Sequence, residues 1–351
     1  MNRISKSESG GKKGRWIVLF FVIAALTIWA VTSQWKGFTL AAFFDFVSGA
    51  DVRWLSCAVL AMLGFVAFEG FALHTACHGL HNDVPLRKYV GYASADIYFS
   101  AITPSASGGQ PACALLMMCD GIPGIVATAV LLLTLSMYAL SILAVGMAAI
   151  ILDPSILSIF GVPSLVLIGI GFAVQVGLAV FLLLLIRSEH LLEGICRGTI
   201  HLLARLHLIH NEDRRQLNLR DTMAEYARCL ALLSGHRTML TRAFLFNLLQ
   251  RVSQLAVTVF VFLSKGGVPR MAGHVFAMQT LVVIGSNCIP VPGAMGVADY
   301  LMLDGFEAFL PADQVIGMEL MSRSISFYSC VLLCGLIVLI TTYRTRKADG
   351  R

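Results

Sequence analysis

The chain has 351 residues, of which 57% are hydrophobic and only 13% charged, with a mean hydropathy of +0.79. Soluble globular proteins carry about 25% charged residues, so this composition excludes a soluble enzyme or binding module and predicts a polytopic membrane protein. The formal net charge of +6 says less than where the basic residues fall.

In chain order, candidate full spans of the roughly 20 residues that a bilayer core requires cover 16–32, 54–75, 123–151, 156–186, 239–263 and 323–343. The first follows Arg3, Lys6, Lys12, Lys13 and Arg15 but lacks a small-residue cleavage site, so it reads as an uncleaved span. Two apolar segments, 88–120 and 271–312, are interrupted instead of continuous. In the first, Ile102 to Pro111 contains two prolines and adjacent glycines, which cannot continue a helix. In the second, Asn287 to Gly296 repeats the arrangement. Broken backbone survives at membrane depth only against protein or a wet cavity.

The basic residues test this layout. With a cytoplasmic N-terminus, 20 of the 26 Lys and Arg fall inside, and only Lys36, Arg53, Lys265 and Arg270 fall outside. Arg251 and Arg323 lie in or at the edge of spans. Both termini are therefore expected inside, provided that each broken segment is re-entrant. The two hairpins then enter from opposite faces, the pattern of an inverted repeat around a central site. At an offset of 184, Gly109, Ala114, Met118, Asp120 and Gly121 match Gly293, Ala298, Met302, Asp304 and Gly305.

The expected fold class is thus an all-α polytopic membrane protein with about six full spans, two re-entrant broken-helix hairpins and an inverted repeat. It forms one integral membrane domain over 1–351: a first half (16–186), a connector (187–238) and a second half (239–343). In the connector, Leu191, Leu192, Ile195, Ile200, Leu203 and Leu206 recur at helical spacing among arginines and histidines. That pattern fits amphipathic helices on an anionic leaflet better than a nucleic-acid surface, and no nucleic acid is expected.

Ionisable residues inside spans cost roughly 2.5–3.5 kcal/mol each on insertion scales, so each calls for a role or a partner. Arg251 lies half-way along its span, with Asn247, Gln250 and Gln254 completing a polar stripe that must face inward. It reads either as a cation meeting a lipid phosphate or as a buried pair with Glu69, Asp96 or Asp299. Asp96 precedes the first break and Asp299 follows the second; Tyr92, Tyr98, Thr103, Ser105, Ser107 and Asn287 would add donors to a shared polar cavity. Backbone N–H groups from Ser107 through Gly108 and Gly109 to Gln110 form a candidate anion cradle, since Pro111 suits a helix's first turn. Gly293 is the counterpart in the second break. Glu319 and Arg323, four apart, suit an internal ion pair.

His74, His78 and His81 follow helical spacing; three histidines can hold a metal, but interfacial side chains reaching water are the commoner meaning, and no metal or cofactor is expected. The nine cysteines stand singly, without C-x-x-C, as small apolar residues in helices. No G-x-x-x-x-G-K-[ST], G-x-S-x-G or H-E-x-x-H motif occurs, and no catalytic residue is named by the sequence.

Three stretches carry a family resemblance. ITPSASGGQPACALLMMCDGI resembles the T-P-x-x-x-G-G-Q-P motif of the lysylphosphatidylglycerol synthase transmembrane (flippase-like) family. IPVPGAMGVADYLMLDGF is similar to that family's P-x-P-G-x-x-G-x-x-E segment, with Asp299 in place of glutamate, and SRSISFYSCVLLCGLIVL resembles its closing R-x-x-S-x-Y span. The resemblance implies a cytoplasmic-membrane module that handles phospholipids. In two-domain members it moves aminoacylated phosphatidylglycerol outward, while a soluble domain transfers lysine from tRNA. This chain ends at Arg351, so that domain is expected to be missing. The expected function is a phospholipid translocase acting on an anionic or lipid-linked head group, with the bilayer and its lipid as partners. A homo-oligomer or a separate lipid-modifying enzyme is a further candidate partner. The alternative is a phosphatidylglycerol lysyltransferase or glycosyl-type transferase.

Overall fold

The computed structural model describes residues 48–82, 84–103, 106–187, 193–194, 198, 226, 228–229, 235–287, 289, 294 and 296–349. Candidate span 16–32, nearly all of the amphipathic connector, Ser105 and Gly293 lie outside the described residues. The described elements are all helical.

Among the described residues, five helices are long and apolar enough to cross a membrane. They are α1 (Val52–Gly79), α4 (Gly124–Leu152), α5 (Val162–Arg187), α6 (Arg237–Ser264) and a final rod made of α9 (Ala312–Arg323), a π-helical turn (Ser324–Ser329) and α10 (Cys330–Asp349). Between them lie two pairs of shorter helices: α2 (Leu86–Ile102) with α3 (Gly109–Cys119), and α7 (Ala272–Ser286) with α8 (Val297–Phe306). Within the long helices, hydroxyls turn back onto the carbonyl four residues earlier, as Thr134 does to Val130 and Ser141 to Met137, so these polar groups need no water.

Two boundaries differ from the sequence expectation. The span expected from 156 starts at Val162, because Pro154–Ile159 winds as a 3₁₀ turn and Gly161 and Pro163 reset the chain. The last span, expected from 323, is continuous from α9, so Arg323 sits within a helix instead of at its edge.

α1 and α6 cross antiparallel along their whole lengths. Asp51 N–H donates to Ser264 C=O at 2.7 Å, the rings of Trp54 and Phe260 stack at 5.9 Å, and Phe71 meets Phe246 at 5.6 Å. The short pairs each fold back on themselves. Lys88 Nζ lies 2.6 Å from Asp120 Oδ1, and Tyr92 OH donates to Asp120 Oδ2 at 2.6 Å, joining the start of α2 to the end of α3. In the second pair, Gly305 lies against Met278 and Gly285 against Leu301. The closures differ: Asp304, at the position matching Asp120, accepts from Gly161 N–H at 3.0 Å, at the entry to α5. α10 packs on α2, and α5 packs on α7.

Candidate functional site

Both breaks open on one half-open cavity of about 620 Å³, whose wall includes Ala106 and Gln110 from the first and Asn287, Ile289 and Ala294 from the second. That volume lies within the range of small-molecule sites, about 300–1,000 Å³. The breaks share a backbone feature: Ala106 and Ala294 both take left-handed conformations, with φ of 54° and 53°. L-residues pay about 1–2 kcal/mol for that region, so the surrounding packing holds each turn in place.

The inward stripe of α6 supplies the charge. Asn247, Gln250 and Arg251 are buried and line the cavity. Arg251, 4% exposed, is wedged between aromatic rings, its guanidinium carbon 4.4 Å from the Tyr138 centroid and 5.1 Å from that of Phe65. Its Nη1 donates to Gln254 Oε1 at 2.6 Å, while Nε has no hydrogen-bond partner. Among the described residues, no carboxylate oxygen lies within 4.0 Å of this guanidinium. The buried-pair alternative for Arg251 is therefore not realised: Glu69 and Asp96 remain beyond contact, and Asp299 is engaged elsewhere.

Asp299 sits in the first turn of α8. Its Oδ2 accepts from Gly296 N–H at 2.9 Å, and its Oδ1 lies 2.9 Å from Arg323 Nε. Gly296 holds φ of +78°, which glycine adopts without a side-chain penalty. Arg323 reaches Glu319 only at 3.9 Å, so the expected helix-internal pair is secondary to the bond with Asp299. Arg323 itself lines the cavity, with Phe327 under its guanidinium at 5.4 Å.

At the first break the anion cradle is partly filled by the chain itself. Thr103 Oγ1 accepts from Gly108 N–H at 2.9 Å and donates to Phe99 C=O at 2.6 Å. Asp96 stands against the start of α3, so close that a Cβ on Gly109 would be 2.1 Å from its Oδ1. Gln110 Nε2 donates to Asp96 Oδ2 at 2.6 Å, and Ser100 Oγ donates to Oδ1 at 3.3 Å. Ser107 is exposed and lies off the cavity wall.

The fold thus brings Asp96, Gln110, Arg251, Asn287 and Arg323 to one cavity. Thr103, Gly108, Gly109 and Asp299 brace it. Sequence reasoning missed Tyr138, Gln175 and Gln279 as wall residues, although a lone glutamine inside an apolar run is itself a signal. It also weighed Glu69 only as a partner for Arg251. Glu69 lines the cavity and accepts from Gln250 Nε2 at 2.7 Å. Besides Arg251 Nε, the buried atoms Asn247 Oδ1, Gln175 Nε2 and Gln279 Oε1 are unbonded among the described residues and belong to residues of this same wall. Each such group left dry costs about 1–3 kcal/mol, so the chamber is built to hold water or a polar guest. His74 and His78 are stacked at 5.9 Å, with Tyr89 edge-on to His74. Among the described residues no group of three His, Cys, Asp or Glu side chains is placed to hold a metal ion.

Fold and chamber define a multi-pass helical membrane protein built round a buried polar site. The chain belongs to the family of the lysylphosphatidylglycerol synthase TM region, whose profile matches residues 16–334, and this membership ties it to membrane lipid. Among curated proteins no relative matches the chain.

Proposed function

We propose that this protein is a lipid translocase of the cytoplasmic membrane that passes a phosphate-bearing head group through the central chamber while the acyl chains stay in the bilayer. The observation that carries this reading is Arg251, a buried cation with an unbonded Nε and no ionic partner among the described residues. A guanidinium in that state fits a phosphate oxygen, and Gln110 and Asn287 present amides from the two breaks on the same wall.

An inverted repeat with two re-entrant hairpins and both termini inside accounts for the arrangement. In support, α1 and α6 are both 28-residue helices and run antiparallel, Ser286 closes α7 184 positions after Ile102 closes α2, and the breaks share the left-handed alanine. Two such halves meeting at mid-membrane give a site that either face could open to.

The test is head-group exchange of fluorescent phosphatidylglycerol in proteoliposomes, read by dithionite quenching of the outer leaflet. Wild type accelerates exchange, and Arg251→Gln returns it to the protein-free rate. Exchange that is indifferent to Arg251→Gln rejects the reading. Aminoacyl lipid formed by the purified protein from charged tRNA and phosphatidylglycerol would favour the transferase instead.

A further inference from the structure

We infer that Glu69 and Asp96 form a proton-binding site that couples head-group movement at Arg251 to a proton moving in the same direction. The inference rests on the translocase reading and names its coupling ion.

The two carboxyl groups come from different helices, α1 and α2, and stand on the chamber wall within hydrogen-bonding reach of each other. Two ionised carboxylates have only acceptors to offer, so that contact requires a proton, donated by one to the other. The shared-proton pair carries one negative charge. Arg251, in ion-pair contact with no described carboxylate, carries one positive charge, Arg323 on the same wall is offset by Asp299, and the empty site is then neutral. An arriving phosphodiester adds a negative charge beside the pair, which favours uptake of a second proton. The loaded site is then neutral again, as passage through a low-dielectric interior requires.

The other titratable groups facing the pair are Arg251 on α6, Cys113 on α3 and Cys334 on α10; Tyr138 on α4 faces Arg251, and Arg323 on α9, held by Asp299, lines the same wall. Of these groups only the carboxyl pair has two oxygens side by side between which a proton can be held and handed on. The pair is also wired to the moving part. Asp96 holds Gln110 of the first break, and Glu69 holds Gln250, the neighbour of Arg251. A change of protonation therefore acts on both the hairpin and the anion site. Buried carboxylates paired inside a membrane are a recurrent proton-relay device.

The experiment imposes a pH gradient on proteoliposomes containing fluorescent phosphatidylglycerol and measures the leaflet distribution at steady state. With one proton per head group, the lipid accumulates in the leaflet facing the alkaline compartment, by up to about 10-fold per pH unit. In Glu69→Gln and Asp96→Asn, the ratio of the two leaflets returns to the value found without a gradient. An even distribution in wild type while Arg251-dependent exchange proceeds overturns the coupling and leaves the translocase reading standing. So does accumulation on the acidic side, or a full skew retained in both variants. Failure of wild type to exchange at all overturns both.

Discussion

Arg323 Nε lies 2.9 Å from Asp299 Oδ1, and this contact ties the last long rod, at the residue before its π-helical turn, to the first turn after the second break. Asp299 also caps its own helix through Gly296 N–H, so a single carboxylate fixes where α8 begins and what it leans on.

Removing Arg323 should cost more than removing its charge partner's charge. Arg323→Ala leaves Glu319, 6% exposed, and Asp299 without their cation. Breaking a fully buried pair costs about 3–5 kcal/mol, and with Asp299 one-third exposed a loss of about 1–3 kcal/mol is expected. Asp299→Asn retains a cap acceptor and should lose less. Thermal unfolding in detergent of both single variants and the double variant measures the coupling; additive losses would remove the contact from the stability of this region.

Arg251 should behave in the opposite sense. An uncompensated buried cation is costly, so Arg251→Gln is expected to leave the melting temperature unchanged or raise it. The same substitution removes charged hydrogen bonds to a phosphate worth about 1.5–3 kcal/mol, or roughly 10–100-fold in head-group affinity. Anion protection in a thermal-shift assay with phosphatidylglycerol micelles separates the two effects. A marked fall in melting temperature would mean that Arg251 holds the fold together.

Substitutions in the first break should have opposite signs four residues or fewer apart. A methyl on Gly109 would meet Ser100 Oγ at 2.0 Å and Asp96 C=O at 2.5 Å, so Gly109→Ala is expected to destabilise by about 1–3 kcal/mol. Ala106→Gly relieves a left-handed alanine and should be neutral or stabilising by up to about 1 kcal/mol. Chemical denaturation in mixed micelles reads both.

At the opposite end of α4, acid should loosen the connection to α7. Asp153 bonds to Ser155 at 2.5 Å and forms an ion pair with His274. The Ser155 hydroxyl, then His274, holds its carboxyl below the ordinary value of 3.8. A depressed acid contributes stability that is present above its unfolded pKa and lost as pH falls through the folded one, so the loss falls below about pH 4. Melting temperature against pH from 3 to 6 should show an acid limb that is shallower in Asp153→Asn.

Much of this fold was legible in the chain because membrane insertion imposes a local rule. Each span must satisfy its own backbone and present apolar side chains, so runs such as Gly124–Leu152 can be read by length and composition. The inward face of α6 was legible for the same reason: Asn247, Gln250 and Arg251 share one stripe, and a stripe of that kind cannot face lipid. Pro104 and Gly108 likewise located the break, and Pro111 marked the first turn of the helix that follows it.

Which charges meet was another matter. Spacing paired Glu319 with Arg323, yet Asp299 took the closer bond, and the carboxylates offered to Arg251 turned to each other or to amides instead. Sequence by itself determined that the protein crosses a membrane, where its helices break and which helix face is polar, because these follow from neighbours along the chain. Only the tertiary structure decided that both breaks open on one chamber and that, among the described residues, no carboxylate reaches Arg251 there. Ionic contact depends on a few ångströms between helices nearly two hundred residues apart, and no local pattern encodes that distance.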